Sequence, residues 1–277
     1  MLGSIIRNLV YADKNSAPYS TPELLACYAK LVGLRGRSKI HPQRHQHLSA
    51  FKFDISFPDS SRFEFLLNEI FIKQDYFFVT GKPNPLVIDC GSNIGMSIFY
   101  FKRKYPKARV IGFEPDPGIF EVLKSNIAAN GLSDVVVHNC ALADREGETE
   151  LFCDPDPVGS LRASLRKERA PQNVVSKRVK TVLLSKYLDS EVDFLKIDVE
   201  GMEMAVIEDL EREGKLSLVR ETAIEYHHHI SSGDDAFSRL LTILENNGFG
   251  YRIAATMGWP TQDKREMQDV LVRAYRK

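Results

Sequence analysis

The stretch that most constrains what this chain can fold into is residues 86–95, which read LVIDCGSNIG. Its apolar start predicts a short strand that is buried on both faces. Gly91 and Gly95 then bracket a tight turn, in which a side chain would block a ligand or a closely packed backbone. Apolar residues continue at helical spacing from Ile94, and Pro106 ends that run. A strand, a glycine turn and a helix predict an open α/β sheet with a ligand pocket at the strand's carboxyl end.

The chemistry of this turn bears on which nucleotide it binds. A dinucleotide site of the NAD type has the pattern G-x-G-x-x-G, in which the pyrophosphate rests on backbone amides. Here the glycines are spaced G-x-x-x-G and Asp89 precedes the first of them. That carboxylate would repel a phosphate and suit an amine or a sulfonium. The next predicted strand, 110–114, ends in Glu114, where such units place the acid that binds the ribose. The ordered set favours S-adenosylmethionine over NAD.

A second buried strand, 193–197, runs into two acids, Asp198 and Glu200, and then into Gly201. If the backbone stays extended there, the two carboxylates point the same way. Such a pair at the pocket can hold a cationic ligand, bind a divalent metal or accept a proton. The alternative is that one of them caps the helix that follows.

Histidines follow a later predicted strand, 221–226. His227 is the candidate general base at neutral pH, because an imidazole titrates in that range. Asp198 or Glu200 is the rival base, acting directly or through a divalent metal. Three consecutive histidines, 227–229, cannot all face one site. A divalent-metal site built from Asp198, Glu200 and His227 is a further alternative.

Two further groups lie near the pocket in the predicted topology. Tyr76 comes just ahead of the first strand, and it either packs the N-terminal layer or reaches the pocket. Asn139, Cys140 and Ala141 follow the third predicted strand, 135–138. They either contact the edge of an adenine or form a simple turn.

Strand and helix patterns alternate after residue 85, which predicts a parallel sheet covered on both faces. We therefore expect two parts: an N-terminal helical and β-hairpin extension, residues 1–80, and a cofactor-binding domain, residues 81–277. Within the second part, residues 154–180 are strongly basic. They predict either a solvated loop or a lid that receives a polar or anionic acceptor.

The extension has its own local signals. Thr21, followed by a proline and a glutamate, predicts the start of a helix that ends at Gly33. Residues 51–57 alternate between apolar and polar side chains and predict a half-buried strand. Residues 62–66 are expected to return as the second arm of a hairpin.

Composition excludes some partners. The chain has 37 Lys and Arg against 37 Asp and Glu, and this balance argues against a broad affinity for nucleic acid. Its four cysteines form no C-x-x-C pair, which is typical of a reducing compartment. No apolar run approaches the roughly 18 residues that a membrane span needs, so we expect a cytoplasmic protein. Composition does not predict the oligomeric state.

Together these stretches resemble the FkbM-type family of S-adenosylmethionine-dependent methyltransferases. The resemblance covers about residues 70–275 and leaves out the first 50. The matching residues are 87–95, 112–115, 141–144 with Gly147, 195–201 and 225–227.

The resemblance implies a class I methyltransferase fold, which is Rossmann-like. It has a seven-stranded, mostly parallel sheet with helices on both faces, here with a small N-terminal α/β extension. It also implies O-methylation of a sugar, a polyketide or a related small-molecule hydroxyl, with S-adenosylmethionine as cofactor. The N-P-P-Y motif of enzymes that methylate nucleic-acid amino groups is absent, because residues 198–201 stand in its place.

The resemblance also implies roles for individual residues. Asp198 and Glu200 would face the methyl group. The residues it places around the cofactor are Asp89, Gly91, Ser92, Asn93 and Gly95 on the methionine side, Glu114 and Pro115 at the ribose, and Asn139, Cys140 and Ala141 at the adenine. Two alternatives from other classes remain: an NAD-linked oxidoreductase and a non-catalytic cofactor-binding protein.

Overall fold

A computed structural model describes residues 17–40, 46–155, 163–169, 174–230, 236–255 and 267–277. Its strands are β1 (Gln46–Ala50), β2 (Phe53–Phe57), β3 (Leu86–Cys90), β4 (Arg109–Phe113), β5 (Val135–His138), β6 (Ala141–Leu142), β7 (Gly147–Cys153), β8 (Val175–Val182), β9 (Val192–Ile197), β10 (Val219–His228), β11 (Phe249–Ala255) and β12 (Gln268–Arg276). Its α-helices are α1 (Thr21–Ile40), α2 (Ser60–Leu66), α3 (Met96–Lys104), α4 (Pro117–Ala129), α5 (Glu203–Arg212) and α6 (Phe237–Asn246).

Seven strands form the central sheet, in the order β11-β12-β10-β9-β3-β4-β5. Strand β12 runs antiparallel to both of its neighbours, and the other pairs are parallel. The central strands β3 and β9 are buried along their whole length, as expected for parallel strands covered on two faces. The predicted fold, a seven-stranded and mostly parallel sheet with helices on both faces, is confirmed.

Two hydrophobic cores lie on opposite faces of this sheet. Alternate side chains of β3 enter different cores, since successive residues of a strand point to opposite faces. Val87 packs with α1, α3 and α4, whereas Ile88 and Cys90 pack with α5 and α6. Because β3, β4 and β9 are parallel, their carboxyl ends point to the same edge of the sheet, and the polar residues that follow them converge there.

The N-terminal part contains the predicted hairpin, but its arms differ from the prediction. Strand β2 pairs with β1, which precedes it, and residues 62–66 lie in helix α2. The reason is a capping interaction: the Asp59 carboxylate accepts hydrogen bonds from the backbone N–H groups of Ser61 and Arg62, which stabilises a helix start. The predicted second arm was therefore wrong.

Helix α1 also runs past its predicted end at Gly33, to Ile40. A glycine inside a helix costs about 1 kcal/mol relative to alanine. Burial of Leu24, Tyr28 and Leu31 against the first core more than offsets this cost. Apolar residues of the described ranges 17–40 and 46–78 share that core with α3 and α4, and the division of the chain at residue 80 stays a prediction.

A second, three-stranded sheet lies beside the first, in the order β6-β8-β7. Strand β8 falls in the stretch that the sequence analysis treated as loop or lid. Its exposed basic residues Arg178 and Lys180 alternate with the buried residues Val179 and Thr181, of which Val179 belongs to the small core of this sheet. Parts of the predicted lid, residues 156–162 and 170–173, lie outside the described residues.

In the described part of the chain, none of the helices combines the length and the apolar character needed to cross a bilayer.

Candidate active site

A cavity of about 500 Å³ opens at the carboxyl ends of β3, β4, β9 and β10. This is where open α/β sheets bind their ligands. Most of the predicted site residues line it: Tyr76, Gly91, Ser92, Asn93, Glu114, Pro115, Cys140, Ala141, Asp198 and Glu200.

Four predicted residues are not among those that line the cavity. Asp89 is fully buried, and its Oδ2 accepts a 2.6 Å hydrogen bond from Ser97. Gly95 precedes α3 with φ +94° and packs on a leucine of α4. The Asn139 side-chain amide donates to the backbone oxygens of the loop after β4. His227 lies behind Glu200. Asp89, Asn139 and His227 direct polar atoms to partners within the protein, so they support the site and do not line it.

Gly91 is required by the packing of two loops. Its backbone N–H and that of Ser92 donate to the carbonyl of Phe113, which ties the turn to β4. A Cβ atom on Gly91 would lie 1.9 Å from the backbone oxygen of Asp198, and the Gly91 φ of +90° disfavours any side chain. The glycine turn and the loop after β9 therefore touch backbone to backbone beneath the cavity floor.

Lys196 is a site residue that the sequence analysis missed. It is 2% exposed, and its Nζ donates to the Gly91 carbonyl at 2.7 Å. The same nitrogen lies 3.2 Å from Asp89 Oδ1 and 3.3 Å from Asp198 Oδ2. Burial alone would lower the pKa of Lys196, but the two carboxylates raise it above its usual value. Its signal in the sequence is a lysine that directly follows the apolar residues Phe194 and Leu195 within strand β9.

Glu114 is oriented by backbone groups on both sides. Its Oε2 accepts from the Asn93 N–H at 2.9 Å, and its Oε1 accepts from the Asp116 N–H at 2.8 Å. Burial raises the pKa of Glu114 to about 8. A fixed carboxyl with lone pairs left to accept hydrogen bonds fits the two hydroxyls of a ribose.

Asp198, Glu200 and His227 come together as predicted, with one ligand-type atom from each within 4.8 Å of the others. Glu200 has φ +52°, an uncommon backbone conformation for a glutamate that is often found at functional sites. Neither acid caps the following helix, since α5 has no side-chain cap. The capping alternative is therefore not realised.

Two cations of the chain already pair with the two carboxylates of this cluster. Arg169 Nη2 lies 2.7 Å from Glu200 Oε2, and Lys196 lies beside Asp198. Two carboxylates and an imidazole nitrogen are donors that divalent metals accept. Because cations of the chain already neutralise these acids, the metal stays a prediction and the chemistry proposed below does not use it.

His227 is held as an imidazolium. Its Nδ1 lies 2.9 Å from Glu203 Oε1, and its Nε2 lies 3.3 Å from Glu200 Oε2. Burial alone would lower the pKa of His227, but Glu203 and Glu200 together raise it to about 10. A ring that is already protonated at neutral pH cannot accept a proton, so this arrangement favours the rival carboxylates as the base. Glu203, in the first turn of α5, was not singled out from the sequence.

We expect ¹⁵N-detected NMR of the imidazole side chains to show both ring nitrogens of His227 protonated at pH 8. The raised pKa contributes stability that is complete below the unfolded value near 6.5 and is lost as the pH rises through about 10. Glu203→Gln should lower this pKa and remove part of that stability at pH 7. Glu208→Gln, on the same helix but paired with Arg239, should leave the pKa unchanged. Titration of His227 at or below pH 7 in the wild-type protein would contradict this assignment.

Tyr76 joins two acids across the cavity. Its hydroxyl lies 3.2 Å from Asp198 Oδ2 and 3.1 Å from Glu225 Oε2. Burial, together with the charge of Asp198, raises the pKa of Glu225 well above its usual range. The prediction that Tyr76 reaches the pocket matches its position. Glu225 lines the cavity as well, and its signal in the sequence was its place two residues before His227.

Comparison with known proteins finds a sequence profile and several relatives that are similar to this chain. The sequence profile described as "Methyltransferase FkbM domain" matches residues 89–252, which is more than half of the chain. "Methyltransferase sdnD" of Sordaria araneosa is 32% identical over 192 residues, which are 58% of this chain and 74% of that protein. "Methyltransferase 1" of Beauveria bassiana is 30% identical over 209 residues, 69% of this chain and 82% of that protein.

A third relative has a more specific name. "31-O-demethyl-FK506 methyltransferase FkbM" of Streptomyces tacrolimicus is 25% identical over 217 residues, which are 67% of this chain and 81% of that protein.

Proposed function

We propose that this chain, which belongs to the FkbM methyltransferase family, transfers the methyl group of S-adenosylmethionine to a hydroxyl oxygen of a small molecule. Methyl transfer follows from membership of the family. The cofactor, the oxygen acceptor and the residue roles below are the proposal. The observation that carries it is one cavity that is lined both by the backbone-oriented carboxyl of Glu114, after β4, and by the acids Asp198 and Glu200, after β9 on the other side of β3.

The cavity suits the parts of this cofactor in order. Glu114 offers its oxygens to the ribose hydroxyls, and Pro115, Cys140 and Ala141 offer an apolar surface to the adenine. Gly91 and Asp198 line the cavity side by side, where the methionine portion would lie. A cationic sulfonium is favoured beside carboxylates. When bound, S-adenosylmethionine supplies a methyl carbon on a sulfonium, and the electrons of the carbon–sulfur bond leave with the sulfur.

Glu200 is the proposed base. It lines the cavity, and burial raises the pKa of Glu200 to about 7 against the opposing charge of His227. A base whose pKa lies near the working pH transfers protons most effectively. Glu200 accepts the acceptor's hydroxyl proton as the new carbon–oxygen bond forms. His227 is a positioning residue, because it holds the Glu200 carboxylate through its Nε2.

An oxygen acceptor is supported by the name of the Streptomyces relative, which specifies an O-demethyl compound as the molecule it methylates. A small molecule is supported over nucleic acid by the balanced net charge of the chain. A reducing, cytoplasmic setting is supported by the four cysteines, which are all buried free thiols.

The proposal is tested first by calorimetry with S-adenosylhomocysteine and by assay of methyl transfer from S-adenosylmethionine. We expect binding of one molecule per chain, together with turnover on hydroxyl compounds. Binding without turnover on any acceptor would instead support a non-catalytic cofactor-binding protein. A change in NADH fluorescence on titration with the protein, without S-adenosylhomocysteine binding, would support the oxidoreductase alternative.

The base assignment makes a separate prediction. Glu200→Gln should lower kcat about 10²-fold, the low end of what general-base catalysis contributes. Its affinity for S-adenosylhomocysteine should stay at the wild-type value, because Glu200 takes the proton and does not hold the nucleoside. Glu208→Gln, on α5 outside the cavity, is the control and should retain activity. If Glu200→Gln turned over at the wild-type rate, Glu200 would not be the general base, and Asp198 would be the carboxylate to test next.

A further inference from the structure

Arg169 is a buried cation that the proposed chemistry does not yet use. It ends the short 3-10 turn Lys167–Arg169 and lines the cavity. Its side chain is 5% exposed, and its Nη2 lies 2.7 Å from Glu200 Oε2. Its Nε is buried and, within the described residues, has no hydrogen-bond partner. An unpaired buried N–H group is costly, so a donor left open at a ligand cavity points to a ligand atom.

We propose that Arg169 is an acceptor-binding residue, whose Nε–H donates to a neutral oxygen of the acceptor close to the hydroxyl that is methylated. That oxygen belongs to a carbonyl, an ether or a second hydroxyl. The substrate class is therefore a neutral compound with two neighbouring oxygens. This inference rests on the proposed function, because it assumes that the Glu200 end of the cavity receives the acceptor.

The sheet order places Arg169 at the acceptor's end of the cavity. Glu114 follows β4 and Glu200 follows β9, and these strands lie on opposite sides of β3. The residues suited to the nucleoside are on the β4 side. Arg169 contacts Glu200, on the β9 side. Its open donor is therefore next to the proposed base and away from the adenosine.

The charges around the cavity favour a neutral oxygen on the acceptor over a carboxylate. Glu69, Asp198 and Glu225 also line the cavity. Among the described residues, the cations that line the cavity each lie in an ion pair with a carboxylate of the chain: Arg62, Arg169 and Lys196. A carboxylate on the acceptor would meet the negative charge of Asp198 and would find no unpaired cation among these described lining residues, which disfavours it. A neutral oxygen needs only the one open N–H.

Arginine suits this double task better than lysine. Its planar guanidinium presents Nη2 to Glu200 and Nε to a second partner at a fixed separation. The same group then holds the acceptor's oxygen at a set distance from the base. A lysine keeps the positive charge but offers one nitrogen, so Arg169→Lys separates the hydrogen bond from the charge.

The test is saturation-transfer NMR on protein saturated with S-adenosylhomocysteine, with four matched probes at millimolar concentration. The probes are cyclohexanol, trans-1,2-cyclohexanediol, 2-hydroxycyclohexanone and trans-2-hydroxycyclohexanecarboxylate. In the wild-type protein we expect the diol and the hydroxyketone to bind about fivefold better than cyclohexanol, the gain from one buried hydrogen bond. The carboxylate should bind most weakly. In Arg169→Lys the advantage of the second oxygen should disappear, while cyclohexanol binding and S-adenosylhomocysteine affinity are retained.

Four results would overturn the inference. In the wild-type protein they are equal binding of the diol and cyclohexanol, and preferred binding of the carboxylate. In Arg169→Lys they are an unchanged preference for the second oxygen, and a loss of S-adenosylhomocysteine affinity, which would assign Arg169 to the cofactor. The ratio of diol binding to cyclohexanol binding in the wild-type protein tests the inference even if the variant does not fold. If the wild-type protein does not bind S-adenosylhomocysteine, the proposed function fails. In that case, binding of the same four probes to the cofactor-free protein shows separately whether Arg169 gives a preference for a second neutral oxygen.

Discussion

Gly91→Ala is expected to destabilise the protein by about 3–5 kcal/mol, in the range of the largest single-residue effects, and to abolish binding of S-adenosylhomocysteine. The added Cβ would lie 1.9 Å from the Asp198 carbonyl oxygen and 3.1 Å from its carbon. Both are backbone atoms, which cannot swing aside as a side-chain tip can. Relief requires the turn after β3 and the loop after β9 to separate, and both form the cavity floor. Urea denaturation measures the first effect and calorimetry the second.

Gly214→Ala is the matched control. Gly214 also has a positive φ, +65°, but a Cβ there would meet no atom within 4 Å. This variant should cost only the backbone strain, about 1 kcal/mol, and it should bind S-adenosylhomocysteine normally. Equal losses in the two variants would show that the contact with Asp198 is not the reason for Gly91.

Lys196→Met is expected to cost about 3–5 kcal/mol of unfolding free energy, the usual result of removing one partner from a buried ion pair. The methionine fills a similar volume but leaves Asp89, which is fully buried, without its counter-charge. It also removes the hydrogen bond that Nζ donates to the Gly91 carbonyl. Urea denaturation at pH 7 gives the loss. Lys186→Met, at an exposed pair with Glu146, should cost less than about 1 kcal/mol.

A double variant tests the cause. If the uncompensated charge of Asp89 is responsible, Lys196→Met combined with Asp89→Asn should be more stable than Lys196→Met alone, because a neutral amide needs no counter-ion. Additive losses in the double variant would mean that packing, and not charge, explains the effect.

Local sequence was enough for much of the fold. The apolar run of β3, the glycine turn and the helix after it predict a strand–loop–helix unit from residue 86, and the structure has β3 and α3 there. The predicted hairpin arm was wrong because one side-chain cap at Asp59 was enough to turn residues 60–66 into α2. Strand β8 was missed because its many lysines and arginines obscured its alternation.

The sequence by itself determined which acids and glycines end the central strands, because parallel strands bring their carboxyl ends to one edge of a sheet whatever else the chain does. Only the tertiary structure decided the state of those groups. Lys196 neutralises Asp89 beneath the floor, Glu203 keeps His227 protonated, and Arg169 reaches Glu200 from a distant turn. Charge and pKa depend on distances of a few ångströms between residues far apart in the chain, and such distances exist only once the chain has folded.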